Sequence, residues 1–360
     1  MKKTQLILAA AALVALASCS NDGFTPANDG EIGFNVVSSM ATRANDAIIS
    51  GTTYGTDNTF QVWGWQSEAG TYAEFAENAA SNFMTNLTIS WCGGPSGRAD
   101  AWRNNAHYYY WPYTGKISFL AIHPSTVAPT TTGWDATNKK AKATVNDYTI
   151  SDSNKTVDLM FAVNDGARRA DALPMVFKHA LSQIVVNVKT NDDYSSDVQF
   201  DINSVTFNNI DLSGDLAYAN EAFTWTDNDT QTENWVYYNT ALENITNTSA
   251  VYGAAEVMIP QPANVLVIAT PAVGNPGDPD YVAPTYSDAV QTTLTINYSM
   301  QQLPKTDNAK ITGTVTVAAP QLWEAGKKYS YTLNFNLNEI TFNPTVTDWV
   351  TVDVATINLP

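Results

Sequence analysis

Alternating apolar and polar residues predict short β-strands along most of this chain. In residues 31–38 the alternation places Ile32, Phe34 and Val36 on one face. Residues 183–189 are apolar on both faces, so we predict a central strand there. Further strands are predicted at residues 59–65, 116–123, 156–163, 198–210, 256–259, 264–269, 292–298, 310–317 and 329–337.

After the N-terminal apolar run, the apolar residues show only a weak 3.6-residue period of the kind that predicts a helix. The best helical candidate, residues 71–84, is rich in alanine but short and interrupted by Ser and Asn. Many short strands separated by turn residues are typical of β-sandwiches, and 360 residues exceed the usual size of one core. We therefore predict an all-β protein with two sandwich domains in tandem, residues 44–172 and 173–360. The boundary lies where charge and proline interrupt the strands.

The first eighteen residues have the order of a secretory signal. Lys2 and Lys3 precede an apolar run, Leu6–Ala17, and Cys19 follows directly after Leu-Ala-Ser. A helix of this length spans about 18 Å, less than the ~30 Å apolar core of a bilayer. The cysteine and the residues before it resemble the lipobox of bacterial lipoproteins. This resemblance implies that residues 1–18 are removed and that the thiol of Cys19 carries lipid.

Composition narrows the class of protein. The formal net charge of −17 argues against a nucleic-acid partner, because phosphate contacts require clustered Lys and Arg. Only 15% of the residues are charged, and Thr, Asn, Val, Tyr and Trp are abundant, as in secreted β proteins. If Cys19 carries lipid, Cys92 stands alone and no intrachain disulfide forms.

The sequence contains no pattern that indicates catalysis. Gly-x-Ser-x-Gly, His-Glu-x-x-His and a Cys–His pair in a catalytic context are absent. His107, His123 and His179 are far apart and set among aromatic residues, so we interpret them as buried or hydrogen-bonded rather than as metal ligands. We expect no enzyme activity, no metal and no cofactor.

The C-terminal segment, residues 340–360, has the alternation of a further strand. Val350, Val352 and Val354 share one face, after which the apolar set changes to the opposite face. Because side chains alternate with a period of two, this change requires a bulge or a break near Val354–Ala355. The residues on the second face are Ala355, Ile357 and Leu359.

Several short motifs, spread in order over the whole chain, resemble the fimbrillin family. This family comprises the lipoprotein precursors of type V pili and related surface adhesins. The motifs are the lipobox, a strand before Thr42-Arg43-Ala44, Tyr110-Trp111-Pro112, Ile117–Ala121, Asp158–Met160, Phe177–Ile184 and Trp323–Tyr331.

The resemblance implies a fold and an assembly mechanism. Fimbrillins consist of two transthyretin-like β-sandwiches, reach the outer membrane as lipoproteins and lose an N-terminal strand to an arginine-specific protease. A C-terminal strand of another subunit then fills the exposed groove. In this chain residues 19–43 would form the lipidated spacer and removable strand, and residues 340–360 the donor segment. The implied site residues are Cys19 for lipidation, Arg43 and Ala44 for cleavage, Ile32, Phe34 and Val36 in the removable strand, and Val350, Val352, Val354, Ile357 and Leu359 in the donor strand.

We therefore expect a stalk-like structural subunit of an adhesive pilus at the outer membrane and cell surface, whose partners are other copies or related pilin subunits. Alternatives stay open for two of the implied sites: Arg43 is an ordinary linker residue, or the C-terminal segment is an ordinary last strand.

An alternative function also stays open. An anchor-type or monomeric surface lipoprotein would keep its lipid and bind a glycan or host ligand through surface aromatics such as Trp63 or Trp111. The aromatic run of residues 108–113 also allows sugar stacking, although packing is the preferred interpretation.

Overall fold

The computed structural model describes residues 30–38, 54–93, 100–169, 171–194, 196–226, 233–261, 264–265, 268–270, 285–286, 290–303, 310–319, 322–336 and 340–348. Within these ranges the chain forms 23 strands and no helix, which confirms the prediction of an all-β protein. No segment described here is a helix long and apolar enough to span a bilayer.

The strands are mostly five to ten residues long, as the short alternating segments predicted. The first eleven are β1 (Phe34–Ser38), β2 (Phe60–Ser67), β3 (Met84–Cys92), β4 (Ala101–Arg103), β5 (Lys116–His123), β6 (Thr131–Asp135), β7 (Lys140–Thr149), β8 (Met160–Gly166), β9 (Leu173–His179), β10 (Ser182–Thr190) and β11 (Val198–Ile210). The others are β12 (Ser213–Ala219), β13 (Ala222–Thr226), β14 (Glu233–Tyr238), β15 (Ala250–Met258), β16 (Asn264–Val265), β17 (Ile268–Thr270), β18 (Thr285–Tyr286), β19 (Val290–Gln291), β20 (Thr293–Gln302), β21 (Ile311–Ala318), β22 (Lys327–Phe335) and β23 (Ile340–Asp348).

Seven strands form a closed sheet in the order β1-β4-β3-β2-β5-β8-β9, and β1 closes it by pairing with both β4 and β9. Three four-stranded sheets follow, in the orders β15-β10-β22-β23, β14-β11-β20-β21 and β13-β12-β7-β6. The pairs β16-β19 and β17-β18 form two small sheets. Strand β10 lies between two neighbours and is buried on both faces, as predicted for a central strand.

Strand β2 separates two hydrophobic clusters. Phe60 and Val62 belong to the cluster inside the closed sheet, which we call the inner cluster. Trp63 and Trp65 belong to a larger cluster that extends to β10, β11 and β22. Successive side chains leave opposite faces of a sheet, so the two faces of β2 contribute side chains to two different cores.

The weak helical candidate at residues 71–84 is not a helix, in agreement with the lack of a convincing helical period, since the segment consists of turns that lead into β3. Tyr72 and Asn78 have left-handed φ angles of 57° and 61°, which a right-handed helix does not allow. The rings of Tyr72 and Phe75 pack on Trp134, with centroids 5.2 and 5.3 Å away. Tertiary packing therefore overrides the helical propensity of the alanines.

The predicted boundary between residues 172 and 173 falls directly before β9, which pairs with β8 and β1 in the closed sheet. The sheet β13-β12-β7-β6 combines strands from both sides of that boundary. The division into two domains stays a prediction.

Candidate functional site

Strand β1 fills the gap between β4 and β9. It runs parallel to β9 from the pair Phe34–Leu173 to the pair Ser38–Phe177, and it meets β4 where Phe34 is opposite Trp102. The parallel ladder with β9 is therefore the main attachment of this strand. Without β1, both neighbouring strands would present an unpaired edge in the closed sheet.

The apolar face of the N-terminal segment is buried in the inner cluster. Ile32, Phe34 and Val36 are 3%, 1% and 6% exposed. The Phe34 ring packs edge-on against Phe119 and Phe60, with centroids 5.1 and 6.1 Å away. Burial of these three side chains contributes about 5–9 kcal/mol, at roughly 1.5–3 kcal/mol each. The strand and its buried face thus agree with the alternation in the sequence.

The residues before β1 are held by the loop of residues 107–113. The backbone N–H of Ile32 donates to the carbonyl of Tyr109 at 2.7 Å, and the N–H of Trp111 donates to the carbonyl of Gly30 at 2.6 Å. Gly30 has a φ of +93°, a conformation that glycine adopts without strain. The backbone turns at Gly30, and the residues that follow it are buried.

A buried ion pair joins the segment to β4. Oε2 of Glu31 lies 3.7 Å from Nε of Arg103, and the two side chains are only about 5% exposed. The Arg103 guanidinium lies against Gly33, where an added Cβ would be 2.9 Å from Nη2. The glycine therefore leaves the space that the guanidinium occupies. Arg168 packs against Gly30 in a similar way.

A buried polar cluster lies near the C-terminal end of β9. Nδ1 of His179 is 2.5 Å from Oδ2 of Asp158, and Nδ1 of His123 is 2.7 Å from the Tyr54 hydroxyl. Burial lowers the pKa of His123, whereas burial and the charge of Asp158 raise the pKa of Tyr54. His123 and His179 are buried and hydrogen-bonded, as interpreted from the sequence, whereas His107 is exposed rather than buried.

The described ranges hold no group of three or more acidic, histidine or cysteine side chains arranged to bind a metal ion. Cys92 is buried, and its Sγ donates to Oδ1 of Asn105.

Some side chains of the aromatic run at residues 108–113 are buried in the core, and others are exposed on the surface. Trp111 is buried and packs edge-on against Phe119, with centroids 5.8 Å apart. The expectation that Trp63 and Trp111 lie on the surface was wrong, because the two rings fill the two hydrophobic clusters. The members of the run that expose more than half of their surface are Tyr108, Tyr110 and Tyr113.

The remaining predicted site residues lie outside the described part of the chain: Cys19, Arg43, Ala44, Val350, Val352, Val354, Ile357 and Leu359. Of the C-terminal segment, strand β23 is described, and it pairs with β22 at the edge of its sheet.

Periodicity located the buried face of the N-terminal segment but missed the ion pair of Glu31 with Arg103. A possible signal was present in the sequence, because Glu31 is a charged residue directly before an alternating apolar run. Its partner was not foreseeable, since Arg103 is distant in sequence and reaches Glu31 only through the pairing of β1 with β4.

Comparison with one solved structure shows a shared fold. A fimbrial protein from Bacteroides vulgatus has a TM-score of 0.60 at 18% identity, over 89% of this chain and 100% of that chain. Candidate cell adhesion proteins from Bacteroides uniformis and Bacteroides ovatus give TM-scores of 0.46 and 0.47, each at 16% identity. They cover 89% and 90% of this chain, and 100% and 98% of their own.

A comparison with family models identifies the protein family, which a shared fold alone does not. No curated protein matches the chain. A family model described as fimbrillin-like matches residues 42–349, which is most of the sequence. The chain therefore belongs to the fimbrillin-like family.

Proposed function

We propose that this chain is a stalk-type structural subunit of an adhesive surface pilus, built from two transthyretin-like sandwiches, that polymerises by donor-strand exchange. The observation that carries the proposal is the position of β1, which closes the seven-stranded sheet and buries its apolar face inside it. Membership of the fimbrillin-like family supports a fimbrial role at the cell surface, structural rather than catalytic.

Cleavage between Arg43 and Ala44 would separate β1 from the rest of the subunit. Arg43 follows Ser38, the last residue of β1, after a short stretch of small and apolar residues. Loss of β1 would open a groove between β4 and β9, lined by inner-cluster side chains such as Phe60 and Phe119. Exposed apolar surface beside an unpaired strand edge favours the binding of a replacement strand.

The replacement in this proposal is the C-terminal tail of a second copy or of a related pilin. Residues 350–360 follow β23, an edge strand, and carry two alternating apolar sets, of which Val350 and Ile357 are members. Before cleavage, lipid on Cys19 would hold the subunit at the outer membrane. Main-chain pairing would then provide affinity, and the apolar side chains would provide specificity.

The test follows cleavage and assembly of the purified full-length precursor. After digestion with an arginine-specific protease, we expect a new N-terminus at Ala44 and a ladder of SDS-resistant oligomers. R43A should keep β1 and form no ladder, whereas R98A, a control at another arginine, should assemble as the wild type does. Deletion of residues 350–360 should permit cleavage but abolish the ladder. Cleavage of the wild type at Arg43 without oligomers would overturn the proposal.

A second candidate function is favoured by the three exposed tyrosines of the 107–113 loop, because exposed aromatic rings can stack on sugars. In this alternative the chain is a monomeric or anchor-type lipoprotein that binds a glycan or host ligand. It predicts a mature N-terminus at a lipidated Cys19 and no ladder. Glycan-array binding would be lost in the triple variant Y108A/Y110A/Y113A.

A further inference from the structure

Strand β21 is an exposed edge of the sheet β14-β11-β20-β21. Within the part of the chain that the structure describes it pairs only with β20, over its whole length and without a shift in register. Its residues Thr312, Thr314 and Thr316 are exposed, and Ile311 is 63% exposed. The outer side of an edge strand presents backbone groups that can pair with a further strand.

The hydrogen bonds beside β21 indicate which of its backbone groups point outward. The N–H of Ala319 donates to the carbonyl of Thr292 at 2.9 Å, in continuation of the ladder between β21 and β20. In an antiparallel ladder, residues bonded to one neighbour alternate with residues whose backbone groups point to the other side. The odd-numbered residues of β21 are therefore bonded to β20, and Thr312, Thr314 and Thr316 direct their N–H and C=O groups to the outer edge.

Strand β21 lacks the features that normally protect a sheet edge, which are charge, proline, bulges and short length. The other edges of the described four-stranded sheets have such features. Strand β23 contains a proline and an aspartate, β15 and β14 pair with their neighbours through register shifts, and β6 and β13 are only five residues long. Strand β21 is eight residues long, uncharged and free of proline.

The lysine next to this edge extends back across the sheet. Nζ of Lys310 lies 2.9 Å from Oδ2 of Asp201, a buried residue of β11, and β20 lies between β11 and β21. Lysine often protects a sheet edge, but the charge of Lys310 is paired with a carboxylate in the sheet. The formal net charge of −17 opposes contact between copies, so an uncharged edge is a surface where two copies approach at low electrostatic cost.

The sequence of β21 is self-complementary in an antiparallel pair centred on Thr314. Residues 311–317 read Ile-Thr-Gly-Thr-Val-Thr-Val. Because opposed residues of an antiparallel pair share a face, threonines would meet threonines on one face, and the apolar residues and the glycine would meet on the other. Opposed Thr–Thr pairs are among those that stabilise sheets. The opposed pairs would be Thr314 with Thr314, Thr312 with Thr316, Gly313 with Val315, and Ile311 with Val317.

We propose that two copies of this chain pair through β21, antiparallel and about a two-fold axis at Thr314, so that two of these four-stranded sheets join edge to edge. The same surface is used on both copies, so the contact closes as a dimer. It forms about six main-chain hydrogen bonds, two at each outward-facing pair. Val315 and Val317 already pack against the larger cluster, and the second copy extends that apolar face over Ile311. This inference goes beyond donor-strand exchange, because it requires neither cleavage nor the C-terminal tail.

The test uses the uncleaved full-length precursor, in which β1 still occupies its place in the closed sheet. Sedimentation velocity at concentrations up to about 100 μM should show a monomer–dimer equilibrium. T314K and T314E each place like charges opposite each other at the axis and should raise the dimer Kd about tenfold or more. T224K and T224E are the matched controls, since Thr224 is an exposed threonine in the middle of the edge strand β13, and their Kd should equal that of the wild type.

A mixture of T314K and T314E tests the register. Lysine opposite glutamate is a favourable pair, so the mixture should form a heterodimer at concentrations where each variant alone is monomeric. Because Thr314 is exposed, both variants should keep the fold, which circular dichroism would verify. A mixture that dimerises no better than its components would overturn the pairing about Thr314. A wild type that stays monomeric, dimers unaffected by charge at position 314, or equal weakening by T314K and T224K would overturn the contact itself. Dimers of the precursor without a ladder after cleavage would overturn the donor-strand function alone.

Discussion

The ring of Phe34 stands edge-on to the ring of Phe119, with centroids 5.1 Å apart and planes at 87°. Phe34 is in β1 and Phe119 is in β5, which lie on opposite sides of the closed sheet. The contact therefore crosses the interior of the sheet. It makes the N-terminal strand part of the core, although that strand is the part of the subunit that we propose is later discarded.

Truncation of the Phe34 side chain should destabilise the precursor. F34A removes a fully buried ring and leaves a cavity, so the free energy of unfolding should fall by about 3–5 kcal/mol. Urea denaturation followed by tryptophan fluorescence would measure the change. The control N35A alters the exposed neighbouring residue of the same strand and should stay within about 0.5 kcal/mol of the wild type. Equal effects of the two variants would contradict the burial of β1.

Glycine at position 30 should be required for the path of the N-terminal segment. With φ at +93° and the Arg168 guanidinium beside it, G30A should cost about 1 kcal/mol or more. Thermal unfolding would show the loss. G55A is the control, since Gly55 lies in an exposed turn without a left-handed φ, and its melting temperature should change little.

Stability should fall on acidification because of His123. Burial lowers the folded-state pKa of this histidine below its unfolded value of about 6.5. Below that pH the unfolded chain binds a proton that the folded chain does not, so the free energy of unfolding decreases as the pH falls. H123Q should show a smaller loss between pH 7.5 and 5.5 than the wild type.

The control for the histidine experiment is H107Q. Its side chain is exposed, so the variant should keep the pH dependence of the wild type. A pH profile of H123Q that is parallel to the wild-type profile would show that other groups are responsible.

Two substitutions in the loop of residues 107–113 should differ in their effect on stability, because one aromatic side chain is buried and the other is exposed. W111A removes a buried ring and should cost about 3–5 kcal/mol, whereas Y113A changes a residue that is 89% exposed and should leave the melting temperature unchanged. Differential scanning fluorimetry would distinguish the two. A large loss of stability in Y113A would mean that the tyrosine is covered by another part of the protein.

Much of this fold could be predicted from local patterns. The alternation at Ile32, Phe34 and Val36 gave the strand and its buried face, and the alternation around Trp63 gave a strand, both faces of which are buried in the structure. Both follow from the fixed period of a β-strand. The pattern could not show that Trp63 and Trp111 are inside the protein, because an apolar face and an exposed aromatic face have the same period.

The sequence by itself determined the all-β class, the position of many but not all of the short strands, the signal-like N-terminal pattern and the family motifs, because these depend on residue types at short separations. Only the tertiary structure decided that β1 lies between β4 and β9, that Glu31 meets Arg103, and that Phe34 reaches Phe119. The physical reason is that sheet neighbours are chosen by the joint burial of side chains distant in sequence. The alternation of apolar and polar residues within a strand does not indicate which neighbouring strand it will pair with.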